Sequence, residues 1–133
     1  MKENNNKKYL GIDWGEKRIG LATADSETKI AIPYKVISNI KELKQIIISE
    51  DIDIIVIGKP FKMKSKDLEL NKNFLSFLEI LKKELEKEKI KIKLVDERLS
   101  SKQADSLEGN KKNKAPRDAI AASIILEAYI SSL

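Results

Sequence analysis

The sequence predicts a single α/β domain built on a five-stranded mixed sheet with helices packed on it. Five short apolar runs have the length and alternation of β-strands, and two amphipathic stretches of helical period separate the later runs. The length of 133 residues is long enough to bury a core but too short for two lobes. The order is three strands, helix, strand, helix, strand and further helices, which indicates antiparallel pairing first and parallel pairing later.

The first three predicted strands follow one another through short turns. Residues 9–13 and 18–24 flank a tight turn around Gly15 and are expected to form an antiparallel hairpin. Residues 30–37 form the third strand, in which Pro33 favours an edge position because proline cannot donate a ladder hydrogen bond. Residues 1–8 are polar and lysine-rich, so we expect a disordered tail followed by one domain over residues 9–133.

The second half alternates helices with strands. Apolar residues at helical spacing predict a helix over Ile40–Ser49, and residues 53–58, apolar on both faces, predict a central parallel strand. A long amphipathic helix over residues 67–89 precedes a fifth strand over residues 90–96. We further expect a short helix after Ser100, a polar loop over 108–114, and a last helix over 117–132 with Pro116 at its first helical position.

Composition limits the chemistry that the chain can perform. The sequence contains no cysteine and no histidine, which excludes disulfides, thiol metal sites and imidazole bases. Any metal must then be held by oxygen ligands, so Mg²⁺ or Mn²⁺ is the natural candidate. A net charge of +5 permits a phosphate-rich partner, and the absence of a long apolar run predicts a soluble, cytoplasmic protein with no membrane partner.

Arginine is rare in this chain and lies beside acidic residues. Of 26 basic residues only three are arginine: Arg18 follows Asp13 closely, Arg98 follows Asp96 and Glu97, and Arg117 precedes Asp118. Because the planar guanidinium holds carboxylates or phosphates bidentately, this placement indicates parts of one anion-binding site. The alternative is that these arginines form ordinary surface salt bridges.

Three carboxylates can converge on such a site. Asp13 ends the first strand between Gly11 and Gly15, and glycines allow another backbone or a phosphate to approach closely. Asp96 and Glu97 follow the fifth strand, at the end where parallel sheets bind ligands, and Lys59 lies at the corresponding end of the fourth strand.

Asp118 lies in the first turn of the last helix. It tops a stripe of small or apolar residues that would let the helix pack close to the sheet: Ala121, Ala122, Ile125 and Tyr129. A turn cap, a solvated loop and a helix dipole would also explain the three acids individually. Together, without histidine or cysteine, they form a fitting ligand set for one or two magnesium ions in phosphodiester cleavage.

Four runs resemble one known family, the YqgF/RuvX family, whose members are described as Holliday junction resolvases and as pre-16S rRNA nucleases with a ribonuclease H-like fold. The similarity spans residues 10–129. It rests on Leu10-Gly11-Ile12-Asp13-Trp14-Gly15 with Lys17-Arg18-Ile19-Gly20-Leu21-Ala22, then Val56-Ile57-Gly58-Lys59-Pro60, Val95-Asp96-Glu97-Arg98-Leu99-Ser100-Ser101, and Asp118-Ala119-Ile120-Ala121-Ala122 with Ile124-Ile125-Leu126-Glu127-Ala128-Tyr129-Ile130.

The resemblance implies roles for individual residues. Asp13, Glu97 and Asp118 would be the catalytic, metal-binding carboxylates for Mg²⁺ or Mn²⁺, with Asp96 as a supporting residue that points away from Glu97. The nucleic-acid-binding residues would be Lys17, Arg18, Lys59 and Arg98. The segment after Pro60 carries lysines where the family has an acid and a glycine, and residues 108–114 form a shorter segment than usual.

The resulting hypothesis is a metal-dependent hydrolase of phosphodiester bonds in structured nucleic acid, acting as a monomer or weak homodimer. Processing of the 5′ end of pre-16S rRNA in ribosome biogenesis is favoured, with Holliday junction DNA in recombination and repair as the alternative substrate. A non-cleaving nucleic-acid or ribosome-associated binding protein is the competing class, although it would have little reason to keep three mutually repelling acids. A two-domain phosphotransferase of the actin and sugar-kinase type is opposed by the chain length.

Overall fold

A computed structural model describes residues 6–59, 72–96 and 116–133 of the chain. All five predicted strands, two of the predicted helices and the part of the helix predicted over residues 67–89 that starts at Lys72 lie in these ranges. The elements are β1 (Lys8–Asp13), β2 (Ile19–Asp25), β3 (Ile32–Ile37), α1 (Ile40–Ser49), β4 (Ile54–Lys59), α2 (Lys72–Glu84), β5 (Lys91–Asp96) and α3 (Arg117–Ser131). The helix predicted after Ser100, the loop predicted over 108–114 and the lysine-bearing segment after Pro60 lie outside the described residues.

The strands form one sheet in the order β3-β2-β1-β4-β5. β1 pairs with β2 and β2 with β3 in antiparallel fashion, whereas β4 pairs in parallel with both β1 and β5. The predicted five-stranded mixed sheet and the hairpin are therefore confirmed. The edge position of β3 is also confirmed, and Pro33 lies opposite Ala22 where the β2/β3 register shifts.

The first strand begins earlier than predicted, within the segment expected to be a tail. Lys8 is the first residue of β1, and the Lys7 amide donates to the Ser26 hydroxyl at 2.7 Å. The Ser26 hydroxyl donates in turn to Asn6 Oδ1 at 2.9 Å. Residues 6–8 are therefore held by the turn after β2, and only residues 1–5 of the predicted tail lie outside the described part.

Several element boundaries differ from the prediction, and β3 begins at Ile32 and not at residue 30. Arg18 lies in the hairpin turn, and β2 begins at Ile19. α2 ends at Glu84 and not at residue 89, because the backbone tightens: the Glu86 amide donates to the Lys83 carbonyl, three residues back, at 3.3 Å. Pro116 precedes α3 in an extended conformation with ψ of 141°, so it is the N-cap and not the first helical residue.

The sheet buries a different core on each face. On one face, α1 and α2 cover a large cluster that includes Leu10, Ile12, Ile55 and Ile57. On the other face, α3 covers a smaller cluster formed by Tyr9, Ala22, Ala24, Val56, Ala122, Ile125 and Leu126. Successive side chains of a strand point to opposite faces of the sheet. A strand residue that packs under α3 therefore has neighbours that point toward α1 and α2.

Candidate active site

Asp13 lies at the carboxyl end of β1, half-buried, directly opposite Gly20 in the hairpin. Tyr9 packs in the cluster under α3, so alternation places Gly11 and Asp13 on that same face. Gly20 also belongs to this face, two residues before Ala22. The strand therefore delivers the Asp13 carboxylate to the face that α3 covers.

α3 packs unusually close to this part of the sheet. A Cβ atom placed on Gly20 would overlap the backbone carbonyl of Asp118. A Cβ atom placed on Gly11 would lie 2.8 Å from both the Ala122 carbonyl oxygen and the Leu126 Cβ. The predicted close approach of another backbone at Gly11 is thus confirmed, whereas the space at Gly15 is taken by its own turn, through the Arg18 carbonyl oxygen at 2.7 Å.

The close packing brings Asp118 beside the hairpin. Asp118 sits above Gly20, the register partner of Asp13, so β1, β2 and α3 place two of the predicted catalytic carboxylates at one end and on one face of the sheet. The predicted seam under Asp118 is confirmed at Ala122 and Ile125, which are buried, and Tyr129 packs against the same cluster.

Asp118 forms an ion pair with Arg18 from the hairpin turn. The closest contact joins Arg18 Nε to Asp118 Oδ2 at 3.3 Å. The Arg18 side chain is 74% exposed and that of Asp118 is 31% exposed. Arg18 is thus oriented toward a carboxylate in this structure, which the salt-bridge alternative anticipated, and it is accessible enough to reach a ligand as well.

The carboxyl ends of β4 and β5 lie at the same end of the sheet as Asp13, because β1, β4 and β5 run parallel. Lys59 and Asp96 are register partners in the parallel pair. Val95 packs against the cluster under α3, so alternation places Asp96 on the opposite face, that of α1 and α2. Lys59 follows Ile55 and Ile57 onto this face. Both residues make contacts in the structure, and neither shares the face of Asp13.

The remaining predicted site residues are distributed as follows. Lys17 is exposed in the hairpin turn beside Arg18, and Arg117 is exposed at the start of α3. Glu97 and Arg98 lie outside the described residues.

The hairpin turn is fixed by contacts that the sequence pattern did not reveal. The Trp14 ring meets Phe74 edge-on with centroids 5.6 Å apart and lies 6.1 Å from Phe77, both on α2. The Asn73 amide also donates to Glu16 Oε1 at 2.8 Å. These contacts hold the turn after Asp13 against α2. The only signal available in the sequence was the single tryptophan next to a strand-end aspartate.

Hydrogen bonds and burial shift several pKa values near the Lys8 end of β1. A backbone hydrogen bond from Thr28 is the main cause that lowers the pKa of Asp25. The Lys8 ammonium, 3.2 Å from Glu50 Oε2, is the main cause that lowers the pKa of Glu50. Burial raises the pKa of Tyr9 and of Tyr34. Asp25 pairs with Lys8 in the sheet register and Glu50 binds the Lys8 ammonium, so both acids lie at the end of β1 opposite Asp13.

The donor set at the Asp13 end suits a hard cation. Within residues 6–59, 72–96 and 116–133, no group of three or more His, Cys, Asp or Glu residues is arranged to hold a metal ion. Asp13 and Asp118 supply two carboxylates there, and the guanidinium beside Asp118 shows that this carboxylate attracts a cation. Oxygen ligands of this kind fit Mg²⁺ or Mn²⁺.

The architecture matches that of two solved RuvC structures. The structure of Thermus thermophilus RuvC in complex with a Holliday junction substrate aligns with a TM-score of 0.63 over 95% of this chain and 94% of that chain, at 14% identity. A second Thermus thermophilus RuvC structure aligns with the same TM-score, over 94% and 95% of the two chains, at 12% identity. The predicted ribonuclease H-like fold is therefore confirmed.

The sequence comparisons give the family. Residues 7–132 match the model of the RuvX family, described as Holliday junction resolvase. A relative from Orientia tsutsugamushi is 36% identical over 96% of this chain and 85% of its own length. One from Malacoplasma penetrans is 36% identical over 98% of each chain, and both are named "Putative pre-16S rRNA nuclease". The chain belongs to the RuvX family, and the predicted class, a nuclease that hydrolyses phosphodiester bonds, is confirmed.

None of the helices in the part of the chain that the structure describes is long and apolar enough to cross a membrane.

Proposed function

We propose that this chain is a divalent-metal-dependent endonuclease that acts on structured RNA and processes the 5′ end of pre-16S rRNA in the cytoplasm. The observation that carries the proposal is the convergence of Asp13 and Asp118, which reach one face of the sheet from different elements across Gly20. The substrate class is supported by the names of the relatives, each of which covers nearly all of this chain.

In this proposal Asp13, Asp118 and Glu97 hold Mg²⁺ or Mn²⁺. Asp13 and Asp118 supply oxygen ligands from a strand and a helix, and Glu97 directly follows the last residue of β5. The chemistry that bound cations supply in such nucleases is activation of the attacking water and stabilisation of the leaving oxygen. Asp96, on the other face, has a supporting role through the end of β5.

Basic side chains near the site would bind the substrate backbone. Lys17 and Arg18 project from the hairpin turn beside Asp13, and both are exposed. Lys59 is the last residue of β4, on the face of the sheet opposite Asp13, and Arg98 follows the end of β5 by two residues. Both complete the proposed nucleic-acid-binding set. Contacts of this kind read backbone and shape, as is usual for double-stranded RNA.

Cleavage of a pre-16S rRNA fragment in the presence of Mg²⁺ or Mn²⁺ tests the proposal. Asp13→Asn, Glu97→Gln and Asp118→Asn each remove a proposed metal ligand. Each should lower the cleavage rate by more than the ~10- to 100-fold that is typical when a residue hydrogen-bonded to a metal ligand is removed. Glu127→Gln, which changes an exposed carboxylate of α3, is the matched control and should cleave normally. Equal cleavage by the wild type and the three site variants would show that the carboxylate assignment is wrong.

A four-way DNA junction is the second substrate for the same assay. The description of the RuvX family and the fold shared with the RuvC complex favour this candidate. Preferential, carboxylate-dependent cutting of the junction would replace the RNA assignment. Binding of either nucleic acid without any cleavage would instead support the non-cleaving binding protein.

Sedimentation of the protein alone and with RNA would distinguish the proposed monomer from a weak homodimer.

A further inference from the structure

The pairing of Arg18 with Asp118 links the proposed phosphate-binding residues to the proposed metal site. Arg18 comes from the hairpin turn, whereas Asp118 comes from the first turn of α3. The Asp118 carboxylate is largely shielded, at 31% exposure, while the Arg18 side chain is 74% exposed. The carboxylate therefore belongs to the packed site, and the guanidinium reaches it from solvent.

The contact is weak enough to be exchanged. The Nε to Oδ2 distance of 3.3 Å is longer than the ~2.7 to 2.9 Å of a strong charge-assisted hydrogen bond. Pairs between exposed charges contribute little because water screens them and the long side chain loses conformational freedom. A divalent cation carries twice the charge of a guanidinium and, in the proposed metal site, binds both Asp13 and Asp118, so it should displace Arg18 from this carboxylate.

Asp118 does not need Arg18 to stay in place. Its backbone carbonyl lies against Gly20, where no side chain intervenes. The Ala119 and Ile120 amides both donate to the Pro116 carbonyl at 3.0 Å, which fixes the first turn of α3. Asp118 is thus positioned by the helix and the sheet.

We propose that Arg18 is an exchangeable internal cation, which neutralises Asp118 when no metal is bound and is released by metal to contact a phosphate of the nucleic acid. This inference rests on the metal site of the proposed function. It predicts that metal binding prepares the hairpin turn for substrate, so metal and RNA bind with positive coupling. A residue that merely positions Asp118 would have the opposite effect on metal affinity.

Calorimetric titration with Mn²⁺ in the absence of nucleic acid tests the exchange. Arg18→Gln should tighten Mn²⁺ binding by about two- to fivefold beyond the change produced by Lys17→Gln, the range that an exposed ion pair allows. Lys17→Gln is the matched control because it removes the same charge from the same turn. In the part of the chain that the structure describes, Lys17 forms no ion pair.

The outcomes separate this inference from the proposed function. Unchanged or weaker Mn²⁺ binding by Arg18→Gln, relative to Lys17→Gln, would overturn the exchange and leave the metal site intact. Failure of the wild type to bind Mn²⁺ would overturn both the exchange and the metal assignment.

A second measurement follows the released arginine. Affinity for a pre-16S rRNA fragment is compared with Ca²⁺ and with a chelator. Ca²⁺ should strengthen binding by the wild type several-fold, and Arg18→Gln should lose most of that gain while Lys17→Gln keeps it. Asp118→Asn should bind the RNA better than the wild type in chelator, and the added Arg18→Gln change should abolish this advantage. An equal response to Ca²⁺ in the wild type and Arg18→Gln would refute the release step.

Discussion

Two glycines set the distance between α3 and the sheet. Gly11 and Gly20 lie on the face that α3 covers, and at each of them the helix occupies the space where a side chain would be. At Gly20 the obstructing atoms belong to the backbone of Asp118 and Ala119, which cannot rotate away. At Gly11 the nearest atoms are the Ala122 carbonyl oxygen and the Leu126 Cβ, each at 2.8 Å, and the helix backbone fixes the positions of both. The position of the Asp118 carboxylate thus depends on the absence of a side chain at Gly20 of β2.

Gly20→Ala should therefore displace α3 and destabilise the protein by about 3 kcal/mol, the upper part of the range for overpacking. Gly11→Ala should cost less, about 1 to 2 kcal/mol, because its Cβ would lie 2.8 Å from the nearest atoms, a smaller overlap than at Gly20. Where no clash occurs, the same change stabilises by ~0.4 to 1 kcal/mol. Urea unfolding monitored by Trp14 fluorescence measures both variants. A Gly20→Ala protein as stable as the wild type would rule out the close approach.

Glu50 links stability to pH at the other end of the sheet. It accepts hydrogen bonds from Lys8 Nζ at 3.2 Å and from the Tyr34 hydroxyl at 3.2 Å, and these lower its pKa below the ordinary value of 4.5. A carboxyl whose folded pKa is lowered stabilises the fold above its unfolded pKa, and this stabilisation disappears as the pH falls through the folded pKa.

Glu50→Gln keeps an acceptor but loses the charge. We expect it to lower the urea midpoint at neutral pH and to approach the wild type in acid, at pH values below the lowered folded pKa of Glu50, where the carboxyl is protonated in both states. Glu79→Gln, an exposed change on α2, should leave the midpoint unaltered at both pH values. A deficit of Glu50→Gln that persists unchanged in acid would point to lost packing and not to charge.

At the scale of elements, the buried face of α2 holds the hairpin turn in place. Phe74, Leu78 and Leu81 are buried, whereas Leu75 is 43% exposed. Phe74 also carries the edge-on contact with Trp14, so the same helix face supports the core and the turn that follows Asp13. Disturbing this face should affect the site as well as stability.

Phe74→Ala should cost about 3 to 5 kcal/mol because it removes a fully buried ring and leaves a cavity. Its folded-state Trp14 fluorescence should shift to longer wavelength, since the indole becomes more exposed to water. Leu75→Ala, one position along the helix, should stay within ~0.5 kcal/mol with an unchanged spectrum. Equal losses in the two variants would mean that α2 packs with another face toward the sheet.

The elements were predictable because each follows a local rule, whereas their contacts were not. The apolar period predicted α1 at both of its ends, and Pro33 predicted the edge position of β3. The end of α2 was predicted wrongly because its lysine and glutamate residues continue to favour helix after the last buried leucine. The Trp14 contact with Phe74 and the Arg18 pair with Asp118 join residues far apart in sequence, and no periodicity reports such pairs.

At the scale of the whole molecule, one sheet separates two hydrophobic clusters. β1 contributes Leu10 and Ile12 to the cluster under α1 and α2, and Tyr9 to the cluster under α3. Since the two clusters share their strands, neither layer should persist when the other is lost. If residues 9–133 form one domain, as expected, the two layers should unfold together in one cooperative transition.

Leu126→Ala tests that cooperativity from the face opposite Trp14. Leu126 is fully buried under α3, so its truncation should cost about 2 to 5 kcal/mol. If the chain unfolds as one unit, the transitions of Trp14 fluorescence and far-ultraviolet circular dichroism should move together to lower urea concentration. Glu127→Ala, the exposed neighbour, should move neither transition. A Trp14 transition that stays in place while the dichroism shifts would mean that α3 unfolds separately, and the catalytic role proposed for Asp118 would then depend on the stability of that layer alone.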